Sequence, residues 1–155
     1  MKIVSGTVIA SLLAGLVMMS DNFTYKEFVH SDTADKLGIT NVPDSATILR
    51  GRILFNSVVQ PIRDHWGPVI ITSGFRNKQL NEAVGGVPDS QHTTGEAVDF
   101  VVPGHDHKKI AEWIVDNLEF DQLILEPSWI HISYSENNRN EVFTYTSFGF
   151  VKGLQ

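Results

Sequence analysis

Cysteine is absent from the 155 residues, which excludes a disulfide framework and any thiolate nucleophile or metal ligand. Its absence suits either redox compartment and does not fix location. A basic excess is lacking as well. With 12 Lys and Arg against 18 Asp and Glu, the net charge is −6. Nucleic-acid binding, which calls for a basic patch, finds no support. Internal repeats, low-complexity tracts and linkers are missing, so no separate binding module is expected within the chain. At 155 residues a single domain can bury about two-thirds of the surface its unfolded chain exposes.

Long apolar runs are lacking too, with one exception at the N-terminus. Lys2 is followed by Ile3–Met19 without a charge, and the chain divides into a leader, 1–19, and a domain, 20–155. A secretory signal is one reading, although it has one lysine and no A-x-A-like cleavage site before Asp21. A membrane anchor is another, at the short end of the roughly 17–25 residues required. A third is translation starting at Met19. Export or anchoring is the reading adopted. It implies an extracytoplasmic location and a transient membrane contact through residues 1–19.

Behind the leader the chain alternates helix and strand signals. Phe23–Phe28 has the aromatic spacing of a segment docking onto a core, and Ser31–Pro43 reads as loop with one helical turn at Thr33–Leu37. Asp44 and Ser45 are candidate caps for a helix Ala46–Val59. That helix aligns Leu49, Ile53 and Asn56, with Leu54 and Val58 beside them, and Pro61 marks a kink near its end. Val69–Thr72 reads as a short buried strand running into Ser73-Gly74-Phe75-Arg76, and Asn77–Val84 as a short helix. Strands follow at Ala97–Val102, Gln122–Leu125, Trp129–Ser133 and Val142–Thr146. An amphipathic helix, His107–Leu118, turns Ile110, Trp113, Ile114 and Leu118 inward. The class is α+β.

Two stretches carry the chemistry: Ser90-Gln91-His92-Thr93-Thr94-Gly95-Glu96-Ala97-Val98-Asp99 and Glu126-Pro127-Ser128-Trp129-Ile130-His131. They offer two imidazoles, a carboxylate able to share a metal with them, and a second carboxylate free to act as a base. A catalytic zinc site asks for three protein ligands, an open position for water and a proton acceptor nearby. The spacing from His92 to Asp99 is not that of a helical HExxH site. It fits a loop bearing His92, a tight turn at Gly95 and a strand presenting Asp99. In that strand Ala97, Asp99 and Val101 share one face, and in the next Trp129, His131 and Ser133 do. A carboxylate inside so apolar a run is costly without a strong partner, and a metal is one. Taken singly, each residue reads more simply as a cap or a hydrogen-bonded core group; the combination points to a metal.

Ser90-x-His92-x-x-Gly95-x-Ala97-x-Asp99 followed by Trp129-x-His131 resembles the M15 zinc peptidases, which act on D-Ala-containing cell-wall peptides and are related in fold to the Hedgehog signalling domain. Ser73-Gly74-Phe75-Arg76-Asn77 is similar to the arginine-bearing segment of that family, and the likeness runs from about Asn22 to the C-terminus. It implies a small, mainly antiparallel sheet flanked by helices, with Zn2+ held by His92, Asp99 and His131. Some relatives place the base three positions before the last histidine, where this chain has Ser128. The role is assigned instead to Glu126, an earlier position where the Trp-x-His subfamily commonly carries an acid. Arg76 is expected to clamp a substrate carboxylate or a polarised carbonyl oxygen, because its fork donates bidentate bonds. Ser90 and Trp129 complete the expected substrate contacts.

The implied activity is hydrolysis of amide bonds in the peptide stem of peptidoglycan by a monomer. The cut is either that of a carboxypeptidase or that of an endopeptidase. The compact chain favours the latter, as does a leader similar to the releasing leaders of some phage lysis enzymes. The rivals are a non-catalytic zinc-binding domain of the same fold and a structural wall or virion protein with incidental zinc. His105 and His107 read as a solvated turn rather than a second metal site. His30 and His65 read as structural or surface residues without an acid–imidazole group around them. Asp64, Glu96 and Asp121 read as caps, salt bridges or solvated acids.

Overall fold

The computed structural model describes residues 17–155. The leader expectation lies outside the described residues except at its end, where Met18–Ser20 forms strand β1 and pairs with β2 (Phe23–Thr24). Met19 is only 1% exposed and belongs to the core. No helix among the described residues is long and apolar enough to cross a membrane.

The first helices are short and capped by their own sequence. Thr24 and Glu27 form a reciprocal capping box on α1 (Tyr25–Val29), and Ser31 caps α2 (Asp32–Leu37). Asp44 accepts from the Thr47 amide and starts α3 (Ser45–Leu54). A π-helical stretch, Phe55–Val59, then leads into α4 (Gln60–Trp66). Pro61 has no N–H to donate into the preceding turn. The wider turn ahead of it lets the helix continue instead of stopping.

The buried line of this long helix is Gly51, Leu54, Phe55, Val58 and Ile62, whereas Leu49 and Ile53 are 60% and 45% exposed. Gly51 explains the choice of face. A Cβ there would stand 2.6 Å from the Phe28 ring, so this is where the helix comes closest to the core. Phe23, Phe28 and Phe55 pack edge to face there, with centroids 5.2 and 5.9 Å apart.

The main sheet has six strands in the order β3-β4-β6-β5-β7-β8: β3 (Ile70–Ser73), β4 (Ala97–Val101), β5 (Gln122–Leu125), β6 (Ile130–Ser133), β7 (Glu141–Thr146) and β8 (Gly149–Lys152). Every pairing is antiparallel except β5 with β7. The α+β class and the mainly antiparallel sheet are as expected. Strand β3, by contrast, is an edge rather than a buried strand, with Ile70 51% exposed. Helices α5 (Lys78–Ala83, capped by Asn77) and α6 (His107–Asn117) complete the fold. Val98, Phe100, Leu123, Leu125, Ile130 and Ile132 point to the back of the sheet and are buried with Ile110 and Ile114 of α6. The alternate residues, Asp99, His131 and Ile124, face the front.

Candidate metal centre

Register brings the motif together. Asp99 pairs with His131 across β4 and β6, so both side chains leave the same face at the same level. His92 arrives from a short 3₁₀ turn (Gln91–Thr94) that Gly95 ends in the left-handed region, at φ 80°. The turn expected at Gly95 is therefore present. A Cβ there would also meet the Thr47 carbonyl oxygen at 2.6 Å.

The three side chains converge. His131 Nδ1 lies 2.8 Å from Asp99 Oδ1, and His92 Nε2 lies 3.3 Å from both Asp99 Oδ1 and His131 Nδ1. A tetrahedral ion with bonds of about 2.0–2.1 Å holds its ligand atoms about 3.3 Å apart. His92 Nδ1 is 2.7 Å from the Gly74 carbonyl oxygen, which can only accept. That nitrogen therefore carries the proton, and the Nε2 lone pair is turned to the cluster. Burial pushes the His92 pKa down, against the pull of Asp99, and so favours the neutral imidazole that a metal requires. Burial alone would raise the Asp99 carboxyl. The two imidazoles against it, His131 ahead of His92, outweigh burial and hold the group well below the usual carboxylate range, as an anion. The donor set fits a zinc ion, and the three residues form a candidate ligand set.

Glu126 ends the run out of β5, where its amide donates to the Trp129 carbonyl across the turn to β6. Burial raises its pKa, the Asp99 charge adds to the rise, and His131 opposes it. The same charges that form the cluster therefore act on Glu126. Arg76 is half-buried, and its Nε is buried without a hydrogen-bond partner. Burial lowers its pKa while Asp99 raises it, and the group stays cationic.

The irregular segment bearing Arg76 is held by its backbone. Phe75 donates to the Phe28 carbonyl, Arg76 to the His92 carbonyl and Asn77 to Asn41 Oδ1. Asn41 returns a hydrogen bond to the Phe75 carbonyl. Ser90 is buried, and its Oγ accepts from the His92 amide at 3.3 Å. Trp129 is 37% exposed at the turn.

Two clefts flank the cluster. One, of about 350 Å³, is lined by Arg76, Asp99, Thr72, Ser73 and the segment 30–33. The other, of about 320 Å³, is lined by Ser90, Gln91, His131, Gln122, Ile124 and Arg139, among others. His30 sits on the rim of the first. Contrary to the sequence reading, it has acidic neighbours, with Asp32 at 3.1 Å and Asp35 at 3.9 Å. The break between α1 and α2 folds both acids back towards the ring. All three side chains are more than half exposed, so this is a solvated surface contact.

Asp121 has a larger part than the sequence suggests. It is 2% exposed and receives Arg139 through Nε at 2.9 Å and Nη2 at 2.7 Å. It also accepts from Gln91 Nε2 at 2.9 Å and from Ser133 Oγ at 3.4 Å. Gln91 precedes His92 and Ser133 follows His131 by two residues, so one carboxylate fastens both histidine-bearing segments. The Arg139 hydrogen bonds lead in lowering its pKa to about 2 from 3.8. A depressed pKa stabilises the fold above the unfolded value and loses that contribution as pH falls through the folded one. Asp121→Asn is expected to cost on the order of 2 kcal/mol at neutral pH. The gap to the parent protein should narrow between pH 4 and pH 2 in denaturant titrations at stepped pH. A gap independent of pH would contradict this.

Residues 21–133 match the family model described as Peptidase M15. No curated protein matches the chain.

Proposed function

Because the chain belongs to the Peptidase M15 family, we propose that it is a zinc-dependent endopeptidase of the peptide stem or crossbridge of peptidoglycan, acting outside the cytoplasm. The observation that carries this reading is the convergence of His92 Nε2, Asp99 Oδ1 and His131 Nδ1, with the His92 tautomer set by Gly74. A zinc ion held there supplies a Lewis acid and lowers the pKa of a water ligand from about 15.7 towards about 7.

This chain's residues do the rest. Glu126 takes the proton of the attacking water on a carboxylate oxygen and returns it to the leaving amide nitrogen. Its place beside the cluster, where the charges of Asp99 and His131 both act on it, suits that role. Arg76, which lines the cleft beside Asp99, donates to the carbonyl oxygen as charge develops there, or to a substrate carboxylate. The clefts on both sides of the cluster leave room for chain beyond each side of the scissile bond, which favours an endopeptidase.

The test is digestion of purified peptidoglycan by the zinc-loaded full chain, with released ends read by mass spectrometry. New internal stem or crossbridge ends that vanish with chelator are expected. Free D-Ala alone would make it a carboxypeptidase, and no metal-dependent product from walls of several chemotypes would overturn the reading.

Gly74 is the sharpest test of how the site is held. A Cβ at this position would run into the Phe28 backbone carbonyl, pushing away the segment whose carbonyl fixes His92. Gly74→Ala is expected to weaken zinc binding roughly 10–100-fold, the usual effect of losing an outer partner. Competition with a chromophoric chelator measures it, and unchanged affinity in a folded variant would contradict the assigned role.

A further inference from the structure

The front of the sheet does not end at the cluster. Asp99 pairs with His131, His131 with Ile124, Ile124 with Phe143 and Phe143 with Lys152, one row across five strands. Paired residues share a face, so the face bearing the cluster continues through Ile124 to Phe143. Two residues further along, Tyr145 pairs with Phe150 on the same face, their rings in edge contact at 5.1 Å. Phe150 is 60% exposed and Tyr145 44%. A shallow depression of about 370 Å³ lies here, lined by Val87, Gln122, Ile124, Phe143 and Phe150. Val87, Gln122 and Ile124 also line the cleft containing His131. The two hollows are therefore continuous, and the second carries no charged lining residue.

We propose that this strip is a subsite for an N-acetylated pyranose of the glycan strand, adjoining the peptide cleft. The inference rests on the peptidoglycan reading above. In peptidoglycan the stem peptide is covalently attached to such a sugar, so a stem lying in the cleft brings one with it. From β6 to β8 the strip spans three strand spacings, about 14 Å. Pyranose rings present a C–H face that packs on aromatic rings, and Gln122, whose Nε2 donates to Glu141 Oε2, lines the depression with an amide oxygen that can accept from the N-acetyl N–H or a hydroxyl. Phe148, 96% exposed at the hairpin tip, does not line the depression.

The experiment compares kcat/KM for a disaccharide-linked stem peptide with that for the same peptide freed of its sugar. Phe150→Ala is expected to lower the first roughly tenfold, the effect of losing one buried ring face, and to leave the second unchanged. Phe148→Ser should alter neither. Equal losses on both substrates, or no preference for the sugar-bearing one in the parent protein, would overturn the subsite. Vesicle binding or self-association lost in Phe150→Ala with the sugar preference intact would also overturn it, pointing to a membrane or a second copy. If neither substrate were cut, the peptidase reading would fail on its own. The subsite would then be judged by NMR titration of the isolated disaccharide. Perturbation of the Gln122 amide and the Phe150 ring would support it, and their silence would reject it.

Discussion

Asp99→Ala is expected to lose zinc and to reduce hydrolysis of wall peptide to the rate of the chelated protein. Asp99 Oδ1 is the only anionic donor of the cluster, 2.8 Å from the His131 imidazole and 3.3 Å from that of His92. Without it two neutral nitrogens remain, too few ligands to hold the ion in a tetrahedral site. The loss of affinity should exceed the roughly 10–100-fold that removing an outer partner costs. The fold should survive, because β4 keeps its backbone pairing with β3 and β6. Zinc content after dialysis, circular dichroism and the hydrolysis rate measure the three outcomes separately. A folded, zinc-free variant that still cut peptide would remove the metal from the mechanism.

Glu126→Gln separates binding from catalysis. The amide keeps the size of the side chain but cannot accept the proton of the attacking water. A fall in kcat of about 10²–10⁴-fold is expected, with zinc affinity close to that of the parent protein. The pH profile gives a second readout. A general base works only when ionised, and burial together with the Asp99 charge raises the Glu126 pKa. A bound zinc ion pulls the other way, so the readout is the acid limb of kcat/KM itself, which should disappear in Glu126→Gln. A variant with full activity would move the base elsewhere. Zinc binding with no hydrolysis by either protein would favour the non-catalytic zinc-binding domain.

His92, Asp99 and His131 are legible in the sequence because strand period and turn chemistry are local. Alternation sends Asp99 and His131 to the front of the sheet, and Gly95 is where the chain turns with positive φ. Asp44 is legible as a cap for the same reason. What the sequence hides is long-range. Gly74 orients His92, Asn41 grips the Arg76 segment, and Asp121 clasps Gln91 and Arg139, each across 18 or more residues. No local pattern announces these partners. The parallel pairing of β5 with β7 is equally silent, because strand partners are chosen by the whole sheet. The apolar run at Ile70 reads as buried until the sheet order makes β3 an edge. The face of α3 was decided by Gly51, whose lack of a side chain outweighed the apolar line through Leu49 and Ile53.

The most direct test is a titration of zinc into metal-free protein while hydrolysis of wall peptide is followed. Activity should rise in proportion to added zinc and break at one equivalent, and the His131→Ala protein should stay flat throughout. Hydrolysis before any metal is added, or one tightly bound equivalent that brings none, would contradict the account.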